Sequence, residues 1–236
     1  NHESMDYLRT ALNITSETND KMLSNLRKTH EQWWSDFWSR SWIEIGDDFL
    51  EQCYYGSQYL LASCSRNAAF PPGLWGNSLT EDASFYNWAG DYHLNYNHQA
   101  PWWGAYSSNH IDLTEPYDTP ILEYMDNAKT HASTLLNISG VYYPVGIGPK
   151  GFCSSRFPLD SLAMKKYYAT YEHSIEGGIM FLGQKSNNLF CTANMFMRFY
   201  STYDSTYASR VSPFLREVAN LWEDSLVFEE GRYVSK

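Results

Sequence analysis

Apolar residues recur along this chain in steps of three, four and one over several separate stretches, the spacing that lays one face of a helix against a core. From Asp20 to Trp38 the stripe runs through Leu23, Leu26, Trp33, Trp34, Phe37 and Trp38, and predicts a helix over 20–38. A second stripe through Phe49, Leu50, Cys53, Tyr54, Leu60 and Leu61 predicts a helix over 47–63 that ends before Pro71-Pro72-Gly73. Pro101 suits a first helical turn and opens a short helix over 101–109. The next pattern covers 112–136, with Pro116 and Pro120 confined to its first turn or a preceding one. Two more helices, over 188–200 and 205–227, are separated by a turn at Tyr203-Asp204-Ser205.

Between these helices lie two long segments, 67–97 and 140–183, rich in Gly, Pro, Tyr, Trp and Asn. Connections of that length in a compact domain are usually functional. Strand signals are weak: Gly140 to Val145 and Gly178 to Phe181 are short candidates, and neither alternates for long. The pattern predicts one mainly α domain over 1–236, with helices in antiparallel pairs and elaborate loops at one end.

Composition narrows the function classes. With 17 Lys and Arg against 27 Asp and Glu the formal charge is −10, and no basic run is present, so nucleic acid is not an expected partner. No stretch approaches the roughly 20 apolar residues of a membrane helix, and Asn1-His2-Glu3-Ser4 has no signal-peptide pattern, so no membrane insertion is expected. Opening at Asn1 fits a processed end or an excised piece, and excision is the expectation here. Cys53, Cys64, Cys153 and Cys191 show no zinc spacing and are read as buried packing. Asn13-Ile14-Thr15 and Asn137-Ile138-Ser139 fit the glycosylation sequon, a pattern frequent by chance. Aromatic residues make up 17% of the chain, and flat rings with polar tips suit both a core and the C–H faces and hydroxyls of sugars.

The chemistry concentrates in Pro71 to Asn77 and Trp88 to Trp103. If Asp91 to Asn97 is extended ahead of a helix at Pro101, residues two apart share a side, so Asp91, His93, Asn95 and Asn97 would point together. Each asparagine amide offers two donors and an acceptor, enough to orient a water or a sugar hydroxyl. The alternative for Asn95 and Asn97 is a turn and helix-cap pair. Trp75, Trp88, Trp102 and Trp103 are stacking candidates, Trp88 foremost, or packing residues, and at least one of the adjacent Trp102 and Trp103 is expected in the core. His93 and His98 can bond a sugar or serve structure, and Asp91 can anchor a hydroxyl or cap the following turn.

Gln58 to Ser63, Ser65-Arg66, Pro72 to Gly76, Trp88, Gly90-Asp91-Tyr92, Asn95-x-Asn97-x-Gln99 and Trp103 together resemble the catalytic domain of glycoside hydrolase family 95. His30-x-x-Trp33 with Phe37 and Arg40 upstream, and Met195 to Val234 downstream, extend the resemblance over most of the chain. The resemblance implies an (α/α)6 barrel, of which about half is present, and an inverting hydrolase of α-linked fucosides or galactosides that uses neither metal nor organic cofactor. It also implies that Asn95 and Asn97 orient the attacking water. Trp75, Trp88, Asp91, His93, Gln99 and Trp103 are the candidate substrate-binding residues. The family's acid and its further Asp have no counterpart here, and Tyr142-Tyr143-Pro144 and Cys153 to Arg156 replace an expected glycine-tryptophan segment and paired histidines.

Glu229-Glu230, Glu81-Asp82 and Glu172 as a replacement acid and base are weighed against an ordinary acidic surface, which a charge of −10 favours. The partner expected is an oligosaccharide or glycan, the setting extracellular or periplasmic, and a half barrel's apolar seam would let copies associate. The rival readings are a non-catalytic carbohydrate-binding or structural domain on the same scaffold, and a helical protein-interaction module.

Overall fold

The computed structural model describes residues 6–74, 90–154 and 184–235, which are mainly helical. The chain divides into two compact units, 1–44 and 45–236.

The first unit holds α1 (Tyr7–Glu17) and α2 (Asp20–Ser39). Each begins on a side-chain cap: Asp6 accepts from the Arg9 N–H at 3.2 Å, and Asn19 from the Met22 N–H at 3.2 Å. Phe37 is the buried residue of α2, stacked on Trp33 at 5.3 Å, while Trp34 stacks on Trp38 at 5.7 Å. The earlier part of the predicted stripe, Leu23 and Leu26, is exposed.

The second unit opens with α3 (Asp48–Cys64), capped by Asp47 accepting from the Leu50 N–H at 3.0 Å. Gln58 ties it to the short α4 (Trp103–Ser107) through Gly104 and Ser108. The helix predicted over 112–136 is broken into pieces. A 3-10 stretch at Ile111–Asp118 contains Pro116, followed by α5 (Thr119–Glu123), α6 (Met125–His131) and a π turn at Ala132–Leu136 that ends on left-handed Asn137. Proline removes a backbone donor and crowds the preceding turn, so this sequence cannot hold one continuous α ladder.

Two long helices close the unit, α7 (Asn187–Thr202) and α8 (Ser205–Ser225). Left-handed Tyr203 ends α7, and Asp204 caps α8 by accepting from Thr206 and Tyr207 at 2.8 and 3.1 Å. Tyr207, Val211, Phe214, Val218, Leu221 and Ser225 form the buried stripe of α8, spaced four and three. Pro213 sits on its exposed side, where the lost hydrogen bond faces water.

The segment 141–145 is irregular rather than a strand and threads the core with Val141, Tyr142, Tyr143 and Val145 all buried. Its carbonyls are satisfied by α7: Asn188 donates to Val141 at 2.7 Å and Asn187 to Tyr143 at 3.2 Å. Gly140, at φ +88, lets it pass α8, since a Cβ there would lie 2.4 Å from the Glu217 carbonyl.

Two small antiparallel ribbons complete the described residues. β1 (Tyr92–His93) pairs with β2 (Gly146–Ile147), Tyr92 opposite Ile147 and His93 opposite Gly146. β3 (Leu226–Glu229) and β4 (Arg232–Ser235) form a hairpin where only the tail of a helix is predicted. Glu230 and Gly231 both take positive φ, as a two-residue primed turn requires. Of the cysteines only Cys191 is buried; Cys53 is exposed and Cys64 and Cys153 are intermediate, so packing does not describe all four.

Candidate active site

The extended run expected from Asp91 to Asn97 stops at His93. Leu94 donates to Val145 at 2.7 Å, and the chain then turns: His98 donates to His93 at 2.8 Å, and Gln99 and Ala100 both donate to Tyr96 at 3.0 Å. A turn does not keep residues two apart on one side, so the four polar residues are divided. Asp91, His93 and Asn97 line a cavity of about 260 Å³ with apolar walls that include Leu61, Leu74 and Trp102. Asn95 lines a different one, about 390 Å³, beside Gln184, Ser186 and Asn187 at the start of α7. The second volume falls within the usual range for small-molecule sites and the first just below it.

On the first cavity Asp91 neither caps the turn nor stands alone. Its Oδ1 receives His93 Nδ1 over a short contact, and its Oδ2 accepts from Ser154 Oγ at 2.6 Å. The carboxyl group held against Nδ1 sets the orientation of the ring. Gly146 makes room for the carboxylate, because a Cβ there would come within 2.3 Å of Asp91 Oδ2. His98 is buried, bonds the Tyr117 carbonyl through Nε2 at 3.1 Å and stacks on the Tyr117 ring at 4.8 Å. Burial outweighs that hydrogen bond and pushes its pKa down to about 4, so it is a neutral structural strut at pH 7.

On the second cavity, Asn95 Oδ1 and Gln184 Oε1 are both buried and have no hydrogen-bond donor among the described residues. Behind the turn, Gln99 is wholly inside the protein and gives its amide N–H to Leu94 at 2.6 Å, with Cys191 Sγ at 3.6 Å. Trp103 is half-buried, meets Tyr96 edge-on, and donates its indole N–H to Asn194 at 3.0 Å. Asn194 in turn donates to the Gln99 carbonyl at 2.9 Å. Gln99 and Trp103, expected at the sugar, line neither cavity and bolt the turn to α7. Trp102 is the core member of the tryptophan pair, 1% exposed.

Trp75 and Trp88 lie outside the described residues, as do Glu81, Asp82 and Glu172. Glu229 and Glu230 sit at the exposed hairpin turn. Among the described residues Asp91 is the one carboxylate on either cavity, and no group of three or more His, Cys, Asp or Glu is placed to hold a metal. No described helix is long and apolar enough to cross a membrane. Gln184, Asn187 and Asn194 are additions to the predicted set; the signal for them was amides just before and within an otherwise apolar stripe.

A His-x-Asn-x-Asn turn thus lies between two cavities and is bolted to α7 by buried amides. The chain belongs to the family described as the glycosyl hydrolase family 95 catalytic domain, whose model matches residues 7–236. Its mainly helical architecture is accordingly of the (α/α)6-barrel type. Among curated proteins it is similar to the "Probable alpha-fucosidase A" of Aspergillus niger, 34% identical over 87 residues, which is 35% of this chain and 10% of that protein's length.

Proposed function

We propose that the chain is part of an enzyme that hydrolyses α-linked fucose from glycans by inversion, with Asn95 and Asn97 as its catalytic amides. The observation that carries the reading is the turn itself: family membership over residues 7–236 coincides with two asparagines that open onto cavities on either side of one rigid turn. Asn95, with its unpartnered oxygen, orients the attacking water; Asn97 acts beside His93, whose ring Asp91 holds. Inversion needs two carboxyl groups about 6.5–9.5 Å apart with a water between them. The general acid and the base-side carboxylate come from the remainder of the barrel, about half of which this chain supplies. The enzyme works outside the cytoplasm, in an extracellular or periplasmic setting, and needs no metal or organic cofactor.

Hydrolysis of an aryl α-L-fucoside and an aryl α-D-galactoside by the full-length parent, followed by proton NMR of the first-formed anomer, tests both substrate and stereochemistry. Fucoside turnover giving β-fucose first is the expected result; galactoside preference or first-formed α-sugar contradicts it.

One observation favours a second reading for the chain taken alone. The single described carboxylate on either cavity already takes bonds from His93 and Ser154. On this reading residues 1–236 bind sugar without cleaving it, and a titratable affinity with no turnover by the isolated chain would favour it.

A further inference from the structure

Of the buried side-chain oxygens without a donor among the described residues, two, Asn95 Oδ1 and Gln184 Oε1, line one cavity, whereas Gln99 Oε1 and Ser225 Oγ do not. Asn95 comes from the turn after β1 and Gln184 from the residues just before α7, so two separate parts of the chain converge on a shared wall. Ser186 and Asn187 stand beside them; Asn187 is already committed, its amide donating to Tyr143, whereas Gln184 Oε1 is buried without a donor among the described residues. Buried carbonyl oxygens are nearly always satisfied, and two exceptions lining one cavity leave acceptors to which a hydroxyl-bearing ligand can donate. Leu189, Phe190 and Ala193 supply an apolar floor against which a sugar's C–H face can rest.

We propose that Gln184 is a specificity-determining residue, accepting a hydrogen bond from one hydroxyl of the sugar whose neighbouring carbon is attacked by the water that Asn95 orients. This rests on the reading of Asn95 given above and adds the group that recognises the sugar beside it. A site built to accept from a hydroxyl discriminates against the analogue that lacks it, because its own polar atom is then left buried and unpaired.

The test is calorimetric titration of the whole chain with L-fucose and its monodeoxy analogues, on the wild type, Gln184→Met and Gln184→Glu, each checked for folding by circular dichroism. One deoxy analogue is expected to bind the wild type about tenfold more weakly than fucose. Gln184→Met should bind fucose about tenfold more weakly and no longer distinguish it from that analogue, while Gln184→Glu, which keeps an acceptor oxygen, retains the distinction. Fucose affinity and deoxy discrimination unchanged in Gln184→Met would overturn the role of Gln184 and leave the fucosidase reading standing. A folded wild-type chain that binds none of these sugars would overturn both.

Discussion

The two sides of the turn at Leu94–Gln99 are built from the same kinds of residue and finished differently. On the Asn97 side the polar groups are closed on one another: Asp91 accepts from His93 and Ser154, and His98 is tied to Tyr117. On the Asn95 side two carbonyl oxygens are buried and left without donors among the described residues. Saturated polar groups fix a shape; unsaturated ones leave bonding capacity for something else. The first wall thus holds the shape of the turn around Asn97, and the second leaves two acceptor oxygens open beside Asn95.

The sharpest way to break this contrast is Gly146→Val, which drives a side chain into Asp91 Oδ2 and Ser154 Oγ. Overpacking together with loss of the Ser154-to-Asp91 hydrogen bond should cost about 3 kcal/mol in urea unfolding. A cost below about 1 kcal/mol would mean that the Asp91 wall is pliable rather than closed.

Acid should also act on the closed wall. The folded-state pKa of His98 is about 4, below its ordinary 6.5, so the folded protein binds fewer protons and loses stability as pH falls from 6.5 to 4. Buried Asp118 works the other way. Burial outweighs its arginine neighbours and raises its pKa to about 6, so its contribution is complete below the ordinary carboxylate value and is lost as pH rises through 6. The two oppose each other over the same window. His98→Gln removes only the first, so the stability gap between variant and wild type should move by about 3 kcal/mol in the variant's favour between pH 6.5 and 4. Parallel curves would show that His98 is not held neutral.

Smaller effects separate bolt from cavity. Asn194→Ala strands the Trp103 indole N–H and the Gln99 carbonyl and should cost about 2 kcal/mol. Asn95→Ala removes an oxygen that already lacks a donor, so its stability should stay within about 0.5 kcal/mol of the wild type. A large loss there would mean the oxygen is structurally engaged.

Much of the helical scaffold was legible in the apolar spacing, because a stripe such as Tyr207, Val211, Phe214, Val218 and Leu221 repeats long enough to outweigh local preference. α1 carried the same signal in Leu8, Ala11 and Leu12 behind Asp6, over a stretch too short and too exposed to stand out. The prolines at 116 and 120 were visible, but their effect on the whole span was larger than confinement to a first turn allows. The site was half legible. The residues that meet at the turn could be picked out, yet their division between two cavities depends on Leu94 pairing with Val145, fifty-one residues away, which no local pattern encodes. The β3–β4 hairpin was missed because the Glu230-Gly231 turn signal lay at the tail of a strong helical stripe.

The central claim is that this turn carries the catalytic amides of a fucosidase, and the most direct measurement is steady-state turnover of an α-L-fucoside by the full-length parent with Asn95→Ala and Asn97→Ala made separately. Each change should lower kcat about 100-fold or more with KM within a few-fold, the mark of a group acting in the transition state. Turnover unchanged by either substitution would contradict it.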